Sequence, residues 1–315
     1  MDITIENFEA EVINASMRQP VLLDIWAPWC GPCRVLGPVL EKVEKAYGGR
    51  FALAKLNSDE QPEIAGQLSQ MFGVRSIPFC VLFKDGQPVD GFVGALPEPQ
   101  VKAFLDRHVP SADELAAEED VADAQALLSE GDTEHALEKL QEAVTLDPAN
   151  DAARFDYLCA LLRAGRVRDA RAAYEPVSQR ALLEPRLAAA GLWLEACERA
   201  PTARDEAVLR QAIEANRRDF DARYELAQRL MATQRWTDAM DELLEIVMRD
   251  KAWRDEAARR TYVGILELMT KPAPAAGRAE AAAAKGALEV AGRPAGPAGD
   301  PVVDQYRRKL SMALF

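Results

Sequence analysis

The sequence predicts an α/β domain, a central mixed sheet with flanking helices, followed by an all-α domain of repeated helix pairs. Three observations carry that expectation. Up to about residue 108, short apolar strand-like runs alternate with helical patterns. Within that stretch, two cysteines three positions apart stand where a strand runs into a helix. From about Asp113 the strand signals stop, and the chain becomes self-similar at a period of 34 residues.

The first domain spans 1–108. Residues 21–26 form an apolar run holding one carboxylate, Asp24, and read as a buried strand. It continues into Ala27-Pro28-Trp29-Cys30-Gly31-Pro32-Cys33. Val35, Leu36, Val39, Leu40 and Val43 then recur with helical spacing. The cysteines therefore fall on the first turn of a helix, which Pro38 should kink. Residues 51–56 read as a strand, and 62–71 as a helix with Ile64 and Leu68 inward. Residues 79–83 and 89–93 read as partner strands, joined at the tight-turn pair Asp85-Gly86. Val101, Phe104 and Leu105 mark a closing helix.

Composition narrows the function. At 315 residues the chain is too long for one small core. The net charge is −13; residues 1–108 hold 14 acidic and 10 basic side chains, a net of −4, which leaves −9 for the remainder. That balance argues against nucleic acid as a partner and fits a chain that meets other proteins. No apolar run approaches 18 residues, and no basic start precedes an apolar stretch. A cytoplasmic protein with no membrane partner is expected. The five cysteines are Cys30, Cys33, Cys80, Cys159 and Cys197. An odd, sparse set is not a disulfide framework, and one close pair reads as chemistry. Half a zinc site is the other reading of a Cys-x-x-Cys, but no second pair completes it. Only two histidines are present, and no metal or cofactor is expected.

Trp26-Ala27-Pro28-Trp29-Cys30-Gly31-Pro32-Cys33 resembles the thioredoxin signature. The match runs through the whole domain in the right order: Asp24 with the family's buried acid, Lys55 with its neighbouring lysine, Pro38 with its kink proline. Ile77-Pro78 matches its cis-proline, and Gly86 and Gly94 its turn and late-strand glycines. The resemblance implies thiol–disulfide exchange. A helix N-terminus favours negative charge, so the Cys30 thiol should be acidified and act as the nucleophile. Cys33, one turn inward, should be less exposed and release the substrate by attacking Cys30. Asp24 would accept the Cys33 proton, tuned by Lys55. A cis peptide at Ile77-Pro78 would offer backbone groups to an extended substrate segment, with Trp29 as an apolar rim. A bland reading stands beside several of these: Lys55 as a surface group, Trp26 as core, and Cys80 as a buried, inert thiol.

A short linker is expected over 109–115 and helical repeats over 116–270. Gly131-Asp132, Ala136, Ala143 and Leu146-Asp147-Pro148 resemble a tetratricopeptide repeat. Gly165 and Ala170 echo Gly131 and Ala136 at a spacing of 34. Gln234-Arg235-Trp236 resembles a third such turn. About four helix pairs follow from this between 113 and 250, then one more helix near 255–269. Small residues at Ala136 and Ala143 let two helices cross closely. The first helix, 116–130, contains neither Lys nor Asn, so a clamp for acidic C-terminal peptides is not expected, and a broader client surface fits better. Cys159 and Cys197 sit among leucines and read as core. Residues 271–299, rich in Ala, Pro and Gly, read as flexible linker, with a weak helix near 279–291. In 300–315, Val303, Tyr306, Leu310 and Leu314 share one helical face, with Arg307 and Arg308 elsewhere around it. That apolar stripe must fold back on the repeats or dock on another protein.

This order of parts resembles the bacterial YbbN/CnoX family of chaperedoxins. The family adds three expectations: a holdase for unfolded client proteins, shielding of client cysteines through mixed disulfides, and transfer of clients to the chaperonin GroEL and the DnaK system. It tips the tail toward docking, through Tyr306, Arg307, Arg308, Leu310 and Leu314. The alternative is a general protein-disulfide reductase whose repeats only target it to a partner. Thioredoxin reductase or glutathione would supply electrons, and a monomer is the simpler state.

Overall fold

Every side chain of β1 (Val21–Trp26) as far as Ile25 is buried, which requires cover on both faces of its sheet. The computed structural model, which describes residues 1–270 and 300–314, supplies that cover. The linker and weak helix expected within 271–299 lie outside the described residues, as does Phe315. The chain divides into two compact units, the first being Met1–Leu115 and the second starting at Ala116.

In the first unit a π-helical turn, Glu9–Asn14, and a 3-10 turn, Ala15–Met17, precede β1. After β1 come α1 (Gly31–Tyr47), β2 (Ala52–Asn57), α2 (Pro62–Phe72), β3 (Phe79–Lys84), β4 (Gln87–Val93) and α3 (Glu98–Leu105). The strand order is β2-β1-β3-β4. β1 pairs with β2 in parallel and with β3 antiparallel, and β3 with β4 antiparallel, so the sheet is mixed. Alternation along β1 sorts two cores. Val21, Leu23 and Ile25 pack with Ile64, Ala65 and Leu68 of α2 and with Val12 of the first segment. Leu22 points the other way, with Leu36, Leu40 and Val43 of α1 and Val101, Phe104 and Leu105 of α3. The β3–β4 hairpin turns on Asp85 and Gly86, whose φ values of 54° and 74° suit a two-residue turn with both residues left-handed.

The linker expected over 109–115 is shorter than its composition suggests. α4 (Ala112–Glu130) starts inside it, because Ser111 and Glu114 cap each other. The Glu114 N–H donates to Ser111 Oγ (3.0 Å) and the Ser111 N–H to Glu114 Oε2 (2.6 Å), a reciprocal capping box.

The second unit is all helical. α5 (Thr133–Leu146) partners α4, and α6 (Asp151–Arg163) partners α7 (Val167–Tyr174). α8 (Pro185–Arg199) and α9 (Glu206–Ala215) both pack on α10 (Phe220–Ala232), and α10 pairs with α11 (Trp236–Arg249). α12 (Trp253–Met269) and α13 (Pro301–Leu314) follow. Three inter-helix turns are built alike. Gly131, Gly165 and Gln234 take left-handed φ values of 85°, 72° and 59°. At each, that residue's N–H returns to the carbonyl three back, and the next N–H to the carbonyl five back from itself. Ala136 and Ala143 are fully buried, as the close crossing requires.

The expected docking of α13 on another protein is not what its apolar stripe does here. Val303, Tyr306 and Leu310 are buried in the core of the repeats, and Leu314 packs against it. The Tyr262 hydroxyl donates to the Tyr306 carbonyl (2.8 Å), and the Tyr306 hydroxyl to Asp241 (3.2 Å). Lys309 pairs with Asp241 at 3.1 Å, and Lys251 Nζ reaches the Leu314 carbonyl at 2.5 Å. A 14-residue amphipathic helix is marginal alone, and the repeats of its own chain offer the nearest apolar cover. Arg307 and Arg308 stay exposed, Arg307 donating to Thr270 Oγ1 at 3.1 Å.

Candidate active site

The strand-to-helix junction after β1 builds the site. Cys30 is the N-cap of α1: its backbone is extended (φ −77°, ψ 105°), and its side chain takes the place usually given to a capping oxygen. The Cys33 N–H donates to Cys30 Sγ at 3.2 Å. A sulfur held there meets an unpaired helix N–H and the positive end of the helix dipole, which favour its anionic form. Pro32 sits in the first helical turn, where its missing N–H costs nothing. Cys30 and Cys33 form a disulfide with Cα atoms 5.3 Å apart.

One expectation is corrected here. Cys33 is not the less exposed of the two: Cys30 and Cys33 are 3% and 4% exposed. In the disulfide each sulfur covers the other, and Ala27, Trp26 and Ile77 pack around both.

Asp24 is 2% exposed and points to the α1 side of the sheet, in step with Leu22. Burial pushes its carboxyl up to about 6, against the opposing pull of a hydrogen bond from Cys80 and the charge of Lys55. Cys80 Sγ lies 3.7 Å from Asp24 Oδ1, a contact the bland reading of Cys80 as a space-filling thiol did not contain. Lys55 is the β2 partner of Asp24 in the parallel register, but its ammonium pairs with Glu41 of α1. Lys55 therefore acts on Asp24 through space, as a charge.

The other predicted rim residues gather at the same end. Ile77-Pro78 is a cis peptide; Pro78 is buried and Ile77 half-buried against the cysteines. The Gly94 N–H donates to the Pro78 carbonyl at 2.8 Å. Trp29 is 68% exposed, and its indole N–H is shared between both Asp59 carboxylate oxygens at 3.2 and 3.0 Å. Asp59 had no sequence signal, because nothing local marks a loop acid as the anchor of a side chain 30 positions away. Tyr306, Arg307, Arg308, Leu310 and Leu314 belong to the second unit. Cys159 is buried in the helical core, as expected, and burial holds its thiol up at about 12. Cys197 is only half-buried at the edge of that core.

A disulfide at a helix N-terminus, walled by apolar side chains and preceded in the chain by an exposed indole, suits exchange with other disulfides; this unit is a thiol–disulfide oxidoreductase. Known proteins agree: the family model described as Thioredoxin matches residues 1–107. Thioredoxin 1 of Synechococcus elongatus is 44% identical over 107 residues, 34% of this chain and 94% of that protein. Thioredoxin 2 of Chlorobaculum tepidum is 45% identical over 108 residues, 34% of this chain and 94% of its own length. The thioredoxin of Haemophilus influenzae is 43% identical over 103 residues, 33% of this chain and 91% of its own. The chain belongs to the thioredoxin family. Two family models, each described as Tetratricopeptide repeat, match residues 115–192 and 199–283, so a thioredoxin domain is fused here to tetratricopeptide repeats. No helix among the described residues is long and apolar enough to cross a membrane.

Proposed function

We propose that this chain is a redox-active co-chaperone, a chaperedoxin that holds unfolding clients and exchanges disulfides with them. In the reduced protein, the Cys30 thiolate attacks one sulfur of a client disulfide. A Cys30–client bond forms, and the client's other sulfur leaves as a thiolate. Cys33 then attacks Cys30, restoring the Cys30–Cys33 disulfide and freeing the reduced client, while its proton passes to Asp24. The two electrons come back from thioredoxin reductase or glutathione. Lys55 keeps Asp24 ionisable through its charge. Trp29, Ile77 and Pro78 form the face the client segment lies against, with the Ile77-Pro78 backbone offering it hydrogen-bonding groups.

The single observation behind this reading is one chain that joins a capped cysteine pair to a tetratricopeptide array. A free-standing reductase has no need of an array, whereas a holdase needs a broad surface. Held clients pass to the chaperonin GroEL and the DnaK system. With its apolar stripe already covered, α13 meets such a partner through Arg307 and Arg308.

Aggregation of a denatured client is the test. The full chain, reduced or treated with hypochlorous acid, should slow it at near-stoichiometric ratios. Capture with Cys33→Ala should leave the client bonded to Cys30, and removal of 300–315 should lower chaperonin recovery. Full insulin-reducing activity with no effect on aggregation in any redox state would leave only a targeted reductase.

A further inference from the structure

We propose that Cys80 is a positioning residue for Asp24: its thiol donates to the carboxylate from the facing strand and keeps that acid aimed and ionisable under the cysteine pair. This rests on the reading in which Asp24 takes the Cys33 proton.

The register places the pair. Asp24 of β1 and Cys80 of β3 are direct partners in the antiparallel ladder, so their side chains leave the same face of the sheet. That face is covered by α1, whose inward stripe runs from Cys33 through Leu36 to Leu40. Cys80 Sγ is 3.7 Å from Asp24 Oδ1, and Cys80 is wholly buried. Cys80 is the one side-chain hydrogen-bond donor to this carboxylate among the described residues. The donor's backbone is held closely as well. A Cβ on Gly91 of β4 would lie 2.7 Å from the Cys80 carbonyl, so only glycine lets β4 press against the chain there.

A thiol suits this task because it stays protonated. Burial and the adjacent carboxylate both push Cys80 well above its ordinary range, so its S–H is available at every working pH. The other charged or titratable groups near Asp24 are few. Lys55 on β2 acts by charge while its ammonium is engaged with Glu41 of α1, and Cys33 of α1 is the group to be served. Neither fixes the carboxylate's direction. An apolar residue at position 80 would leave a buried carboxylate with no donor, which favours its neutral form.

Three variants of the full chain separate donor from filler. Cys80→Val and Cys80→Ala lack the donor, and Cys80→Ser keeps one. Carboxyl-carbon NMR should find the Asp24 midpoint raised by about one pH unit in the Val and Ala proteins and close to wild type in the Ser protein. The pH at half-maximal insulin reduction should move with it. In the unmodified protein, the Cys80 S–H infrared band should fall in frequency as Asp24 ionises. That measurement decides the matter even if a variant does not fold. An unmoved midpoint in Val and Ala, an equal shift in Ser, or an S–H band indifferent to pH overturns the proposal. If the midpoint shifts as stated but Asp24→Asn keeps the wild-type rate profile, the contact stands and the proton-acceptor role of Asp24 falls.

Discussion

Asp24 carries a cost that the protein tolerates. Its carboxyl titrates near 6 when folded, against 3.8 for an ordinary aspartate. Below about pH 3 it is protonated in both states and burial costs nothing. As pH rises, the unfolded carboxyl ionises first, so the folded state holds the extra proton and loses stability until about pH 6. Above that the loss is constant. Asp24→Asn should therefore stabilise the oxidised protein by about 2–3 kcal/mol at pH 7 and hardly at all at about pH 3, measured by urea unfolding. The same variant should slow insulin reduction at neutral pH. Cys30→Ser should abolish reduction altogether, since no other thiol takes a helix N-cap position; residual turnover above background would relocate the nucleophile. The cysteine pair and Asp24 were readable in the sequence because spacing and a charge inside an apolar run are local signals. The Cys80 contact was not, because which residue faces Asp24 is known only once the β1–β3 register is fixed, 56 positions away.

Helix ends and turns carry a second set of consequences. Two of the three matching turns use glycine at the left-handed position, and the third uses Gln234 at φ 59°. A side chain there strains against its own carbonyl. Gln234→Gly should raise stability by about 1 kcal/mol, read from the midpoint of chemical unfolding. Ser111→Ala removes one half of the capping box and should cost about 1 kcal/mol in the same assay. The period of 34 was legible because glycine and alanine recur where backbone geometry admits little else. The turns at Glu9–Asn14 and Ala15–Met17 were not anticipated, since their residues carry neither period clearly. The start of α4 was misplaced for a different reason. Val109-Pro110-Ser111 reads as a break, but serine followed three positions later by glutamate is also a helix start.

At the scale of the molecule, the C-terminal stripe shows where sequence stops. Amphipathicity dictated that Val303, Tyr306 and Leu310 be buried, but not against what; the repeats of the same chain took them. Deleting 300–315 should uncover Tyr262, take the Tyr306 and Lys309 partners from Asp241 and destabilise the helical unit by a few kcal/mol, seen as a lower melting temperature in calorimetry. Insulin reduction by the shortened chain should be unchanged.

The placement of the five tryptophans has an optical corollary. Trp26 packs on the cysteine pair and Trp29 adjoins it, whereas Trp193, Trp236 and Trp253 all belong to the helical unit. A disulfide quenches a neighbouring indole, so adding a reductant should brighten the first two alone. The chain thereby carries a dye-free gauge of its oxidation state, superimposed on a constant glow from the repeats.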